Sequence, residues 1–173
     1  MIWNCACRRP RCCGSTIGNL DAAEVGTFLR RIRGHVGPGG RALIGVDLCK
    51  APDVLIPAYD DAAGVSARFN RNLLTRINRE LGGNFAVERF QHSVRWNETE
   101  AAMEMHLLST ADQTVTVSGR TIEFSAGETI HTESSRKYHV AEFTTLAEQQ
   151  GWRVDRVWTD DQELFGVFGL AQS

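Results

Sequence analysis

Residues 21–48, DAAEVGTFLRRIRGHVGPGGRALIGVDL, decide the fold class. Asp21 and Glu24 stand three apart, the spacing of a capping box at a helix start. Val25, Phe28, Leu29 and Ile32 then fall on one helical face, which predicts a helix over 21–33. Gly37-Pro38-Gly39-Gly40 is a turn. Arg41 to Leu48 is short and nearly all apolar, the pattern of a strand buried on both faces of a parallel sheet. Helix, turn and buried strand make one αβ step of a doubly wound sheet, so the class is α/β.

Outward from that step the character changes twice. Residues 51–62, with Pro52 and Pro57, read as irregular. Residues 63–81 read as a helix, with Val65, Phe69, Leu73, Ile77 and Leu81 repeating every four positions and Gly82-Gly83 ending it. Arg68, Arg71, Arg76 and Arg79 give that helix a solvated face, partly paired with Glu80. Strands are expected over 85–96 and 101–109. Thr114–Val117 and Thr121–Phe124 flank Ser118-Gly119-Arg120 as a hairpin. A helix over 140–150 follows, then strands over 152–158 and 164–170 joined at Thr159-Asp160-Asp161-Gln162. The order is α/β, a β-rich insertion, then α/β again.

The 173 residues are 42% apolar and carry a net charge of −2, which is globular and offers no basic field for nucleic acid or a membrane surface. No apolar run has the length of a membrane span. A soluble, cytoplasmic monomer is the expectation. Cys5, Cys7, Cys12 and Cys13 crowd the start, with Cys49 apart. Adjacent cysteines are awkward metal chelators, so residues 1–13 read as an irregular leader. His106, His131 and His139 lie near Glu104 or Glu133 in sequence but form no H-x-x-x-H or H-E-x-x-H pattern, and no metal is expected.

Three segments mix small, polar and aromatic residues: GSTIGN (14–19), AYDDAAGVSARFN (58–70) and GETIHTESSRKY (127–138). Together they point to a polar small-molecule site built from loops. Asn19 offers an amide to a carboxylate, or caps a helix. Tyr59 offers a hydroxyl, or packs. Asp60 and Asp61 precede a helix N-terminus and read as capping residues rather than an acid–base pair. Glu133 and Ser135 share one face of any extended segment and suit the two nitrogens of an imidazole, or they sit on a solvated loop. Met105 is otherwise an ordinary strand core residue.

GSTIGN, GVDLCK, AYDDAAGVSARFNRNLLTRINREL, MEMHLLS, GETIHTESSRKY and VWTDDQELFGV, in this order, resemble the second half of the histidine-specific, S-adenosylmethionine-dependent methyltransferases. The resemblance runs from about Gly14 to about Leu170. It implies a partial Rossmann-like sheet carrying an inserted substrate-binding lobe. The implied boundaries are 14–50 and 137–173 for the sheet domain and 51–136 for the lobe. It also implies methyl transfer to the α-amino group of L-histidine, towards trimethylhistidine and ergothioneine, with S-adenosylmethionine as donor. By resemblance Glu133 and Ser135 read the imidazole, Asn19 and Tyr59 the carboxylate. Gly14 and Thr16 line the same pocket and Met105 walls it. No catalytic residue is assigned. The family's cofactor-binding loop lies upstream of anything matched here, so one alternative is a catalytically incomplete fragment acting as a histidine-binding or interaction module. Another is the same scaffold holding a different amino acid or small amine.

Overall fold

The computed structural model describes residues 12, 13 and 15–172. In chain order the elements are β1 (Cys12–Cys13), a 3-10 turn (Ser15–Asn19), α1 (Ala22–Val36), β2 (Arg41–Asp47), α2 (Pro52–Tyr59), α3 (Val65–Leu81), a short 3-10 turn (Val87–Arg89), β3 (Phe90–Asn97), β4 (Ala102–Ser109), β5 (Gln113–Val117), β6 (Arg120–Phe124), β7 (Thr129–Arg136), α4 (Val140–Gln149), β8 (Trp152–Thr159) and β9 (Phe165–Gln172). They fall into two compact units. One comprises the chain up to Lys50 together with Ser135 onward, the other Ala51–Ser134.

The first unit holds a four-stranded sheet in the order β1-β2-β9-β8. β1 runs parallel to β2, with Cys12 opposite Leu43, while β9 inserts antiparallel between β2 and β8. The expected αβ step is there. The Asp21 side chain accepts from Glu24 N at 2.8 Å and Glu24 returns a bond to Asp21 N at 3.0 Å, the reciprocal capping box. Gly37 ends α1 at φ +71°, a conformation costly for any residue with a Cβ. Ile44 and Val46 of β2 pack with Val25, Leu29, Phe143, Trp152 and Phe168 in one core. Cys12–Cys13 differs from the irregular reading: this pair extends the sheet, while Cys5 and Cys7 lie outside the described residues.

Tyr138 ends up inside this core, 2% exposed, edge-on to Phe143 at 5.4 Å. Its hydroxyl has no hydrogen-bond partner, and burial pushes the phenol up to about 12. The folded state therefore resists ionisation that the unfolded chain undergoes near pH 10. Stability from this source is complete below about pH 10 and is lost progressively as pH rises toward 12. Tyr138→Phe is expected to remove that alkaline step and, by deleting an orphaned hydroxyl, to leave neutral-pH stability equal or higher by roughly 1 kcal/mol. Denaturant midpoints of both proteins across the alkaline range check it.

The second unit pairs a sheet in the order β3-β4-β7 with the β5-β6 hairpin and helices α2 and α3. Its core is Leu74, Phe85, Phe90, Leu107, Val115 and Phe124. Three expectations are corrected here. The stretch called irregular contains α2: Pro52 sits in the first turn, where its missing N–H costs nothing, and the helix tolerates Pro57 inside it. The every-fourth stripe of α3 does not form its buried face. A four-residue step overshoots a full turn by about 40°, so the stripe winds around the helix. Val65, Phe69 and Leu73 are accordingly exposed, and Asn70 and Leu74 are the buried residues. The segment weighed as a solvated loop before α4 is strand β7, whose last two residues belong to the first unit.

Candidate functional site

Gly14 lies outside the described residues. Thr16 and Asn19 are exposed on the 3-10 turn that follows β1, at the carboxyl end of a parallel strand pair, where α/β sheets bind ligands. This turn packs closely on the end of β7. A Cβ on Gly18 would lie 3.0 Å from the Arg136 carbonyl oxygen and 3.4 Å from Ser135 Oγ. Within the first unit, then, the structure brings the GSTIGN turn against Ser135.

Ser135 is buried and anchored by a residue the sequence reading passed over. Lys137, whose side chain is wholly buried, donates to Ser135 Oγ at 2.9 Å and to Asp47 Oδ2 at 2.5 Å. Lys50 bonds the other Asp47 oxygen. Backbone bonds run beside this network, from Tyr138 N to Asp47 O at 3.1 Å and from Cys49 N to Tyr138 O at 3.0 Å. An ammonium can only donate, so Ser135 Oγ is the acceptor toward Lys137 and its own proton is directed elsewhere. The network fixes the position of this hydroxyl.

In the second unit, Tyr59 closes α2 and is half-buried. Its carbonyl oxygen faces His92 Nε2 at 2.9 Å, and His92 Nδ1 faces Asn70 Nδ2 at 2.9 Å. A carbonyl only accepts and an amide NH₂ only donates, so His92 is the Nε2–H tautomer. Asn70, 2% exposed, also donates to the His106 carbonyl at 3.1 Å. A helix residue, a strand histidine and the Tyr59 backbone are thus locked together. Asp61 caps α3 by accepting from Val65 N at 2.9 Å and Ser66 N at 2.7 Å, and these bonds hold its carboxyl down at about 2. That is the capping role expected of it.

Met105 is buried on β4 and Glu133 is half-buried on β7. Strand alternation sets Glu133 and Ser135 on one face of β7. It also sets Met105 on the opposite face of β4 from Glu104 and His106. The His106 ring stacks on His131 with centroids 4.9 Å apart, so His131 sits on the Glu104–His106 side. Glu104, His106 and His131, read as scattered in the sequence, are therefore neighbours. The Asn97 amide bonds Glu104 Oε1 at 2.7 Å and, as the leading cause, holds that carboxyl below its usual range. Elsewhere in the second unit, a cleft of about 600 Å³ is lined by Arg89, Asp112, Gln113 and Glu123 among others, and by none of the expected site residues.

A sheet that begins with a parallel pair, finishes with an antiparallel β8–β9 pair and carries helices beside it defines the first unit as α/β. The family described as "Histidine-specific methyltransferase, SAM-dependent" matches residues 9–172, and the chain belongs to it. The histidine N-alpha-methyltransferase of Mycolicibacterium smegmatis is 41% identical over 156 residues, covering 89% of this chain and 49% of that protein. Its namesake in Mycobacterium tuberculosis is 42% identical with the same coverage. "Ergothioneine biosynthesis protein 1" of Neurospora crassa is 30% identical over 163 residues, 92% of this chain and 18% of that protein. The chain spans about half the length of the mycobacterial relatives it matches.

Proposed function

We propose that this chain serves the S-adenosylmethionine-dependent methylation of the α-amino group of L-histidine and that its residues supply the amino-acid site. The observation that carries the reading is the anchored Ser135, whose Oγ Lys137 holds in place. In the proposal this hydroxyl pairs with one nitrogen of the imidazole. Glu133, two residues earlier on the same strand face, accepts the imidazole N–H. Asn19 and Tyr59 hold the carboxylate, with Gly14 and Thr16 lining the pocket. Met105 as a pocket wall rests on the resemblance alone.

The methyl donor, when bound, supplies an electrophilic methyl with a neutral thioether as leaving group. The described residues do not include a glycine-rich cradle for it. The Gly37–Gly40 turn leads into β2 at its N-terminal end, whereas ligands of open α/β sheets gather at the carboxyl ends of the strands. What these residues do is position the amine and tell imidazole from other side chains, and positioning is a large share of such catalysis.

The test is calorimetric titration with L-histidine and, separately, with S-adenosylmethionine. Histidine is expected to bind, and Glu133→Ala to weaken it by about 10–100-fold, the loss of a charge-assisted hydrogen bond of roughly 1.5–3 kcal/mol. Equal affinity in the two proteins would remove Glu133 from the site. Histidine binding without donor binding would support a histidine-binding module.

A further inference from the structure

We propose that Glu104, His106 and His131 form a binding site for a divalent transition metal of the zinc class. Their ligand-type atoms all lie within 4.8 Å of one another. Two imidazoles and one carboxylate are a usual three-residue set for zinc, leaving a fourth position open. The His106 and His131 rings stack with centroids 4.9 Å apart, so one ring turns to bring its nitrogen onto a shared ion. His106 Nε2 and Glu104 Oε2 are separated by 3.1 Å, near the spacing of neighbouring ligands around such a metal. Here a hydrogen bond joins them, and a metal in its place would be bound by Nε2 of the neutral imidazole with the ring proton on Nδ1.

The surroundings fit the same reading. A ligating carboxylate is normally held by its other oxygen, and Asn97 holds Glu104 Oε1. A ligating histidine normally gives its remaining N–H to a carbonyl or similar acceptor, which fixes the nitrogen left for the metal. His131 Nε2 faces the Glu133 carbonyl at 3.1 Å and Ser134 Oγ at 3.0 Å, which leaves Nδ1. His106 departs from this pattern. It is 6% exposed and its Nδ1 is buried with no hydrogen-bond partner. Missing outer partners weaken metal sites by about 10–100-fold, so the expected affinity is roughly micromolar rather than nanomolar. Calcium and magnesium prefer all-oxygen sites and do not suit two imidazoles.

The experiment titrates the tag-free chain with Co²⁺, read by visible absorption, and with Zn²⁺, read by competition against Co²⁺. Cys5, Cys7, Cys12 and Cys13 are a second source of ligands in the same chain, so a variant with serine at all four is measured alongside. Expected is one Co²⁺ whose visible bands persist in the serine variant without a thiolate charge-transfer band. His131→Ala is expected to weaken Zn²⁺ binding at least ~10-fold, as is Glu104→Gln. His131 is exposed, so its removal leaves the fold intact, and circular dichroism in chelator confirms this. Undiminished Zn²⁺ binding in His131→Ala overturns the site, as does loss of all Co²⁺ signal in the serine variant.

Discussion

Asp47→Ala is expected to destabilise the protein by about 3–5 kcal/mol, because it strips a buried ammonium of its carboxylate. Lys137 is wholly enclosed, and Asp47 Oδ2 lies 2.5 Å from its Nζ. With the carboxylate gone, a charged group remains in the interior near the second lysine, Lys50, that the same carboxylate had served. Lys50→Ala is expected to cost less than Asp47→Ala, since it leaves the Asp47–Lys137 pair in place. The informative protein is the double variant Asp47→Ala with Lys137→Met. Exchanging a buried pair for apolar groups is often neutral or stabilising, so the double variant should recover most of the loss. Urea midpoints of wild type, Asp47→Ala, Lys137→Met and the double variant decide the matter. If Asp47→Ala unfolds at the wild-type midpoint, or if the losses of the two single variants simply add, Asp47 and Lys137 do not act as a buried pair.

That network also shows where sequence reading stops. The capping box of α1, the buried run of β2, the β5–β6 turn and the final strand pair are all local patterns, and each could be read from adjacent residues. Lys137 looks like an ordinary charge in Ser-Arg-Lys-Tyr, and only the fold brings Asp47 to it. Asn70 was hidden for a different reason. A polar residue on an amphipathic helix is read as solvent-facing, and the misleading stripe from Val65 to Leu81 reinforced that reading. Its real role needs His92 from one strand and the His106 carbonyl from the next. A usable signal existed in Glu104 and His106, which alternation puts on one strand face. Their third member, His131, comes from another strand, and no spacing rule connects it. α2 was missed because two prolines outweighed the apolar run Val54-Leu55-Ile56, although a proline in the first turn favours a helix start. The long motifs carried the rest: they gave the family, and they singled out Ser135 before any contact showed what holds it in place.

Phe90→Ala is expected to lower stability by about 3–5 kcal/mol, the usual range for emptying a buried phenylalanine site. Phe90 is fully buried and meets Phe85 and Phe124 edge-on, with centroids 5.6 and 5.4 Å away. Such pairs add about 0.5–1.5 kcal/mol each beyond the area they bury. The ring also sits where three elements converge, because its cluster contains Leu74 of α3, Leu107 of β4 and Val115 of β5. The β5–β6 hairpin depends on that cluster in particular. Two strands alone are at best marginally stable in water, and Val115 and Phe124 are the hairpin's buried residues. The alanine variant should therefore lose amide-exchange protection first in β5 and β6. Phe90→Leu keeps an apolar side chain of similar reach and should cost less than half as much, roughly 1–2 kcal/mol. An alanine variant whose hairpin amides exchange at the wild-type rate would mean that the hairpin is held by something other than this aromatic trio.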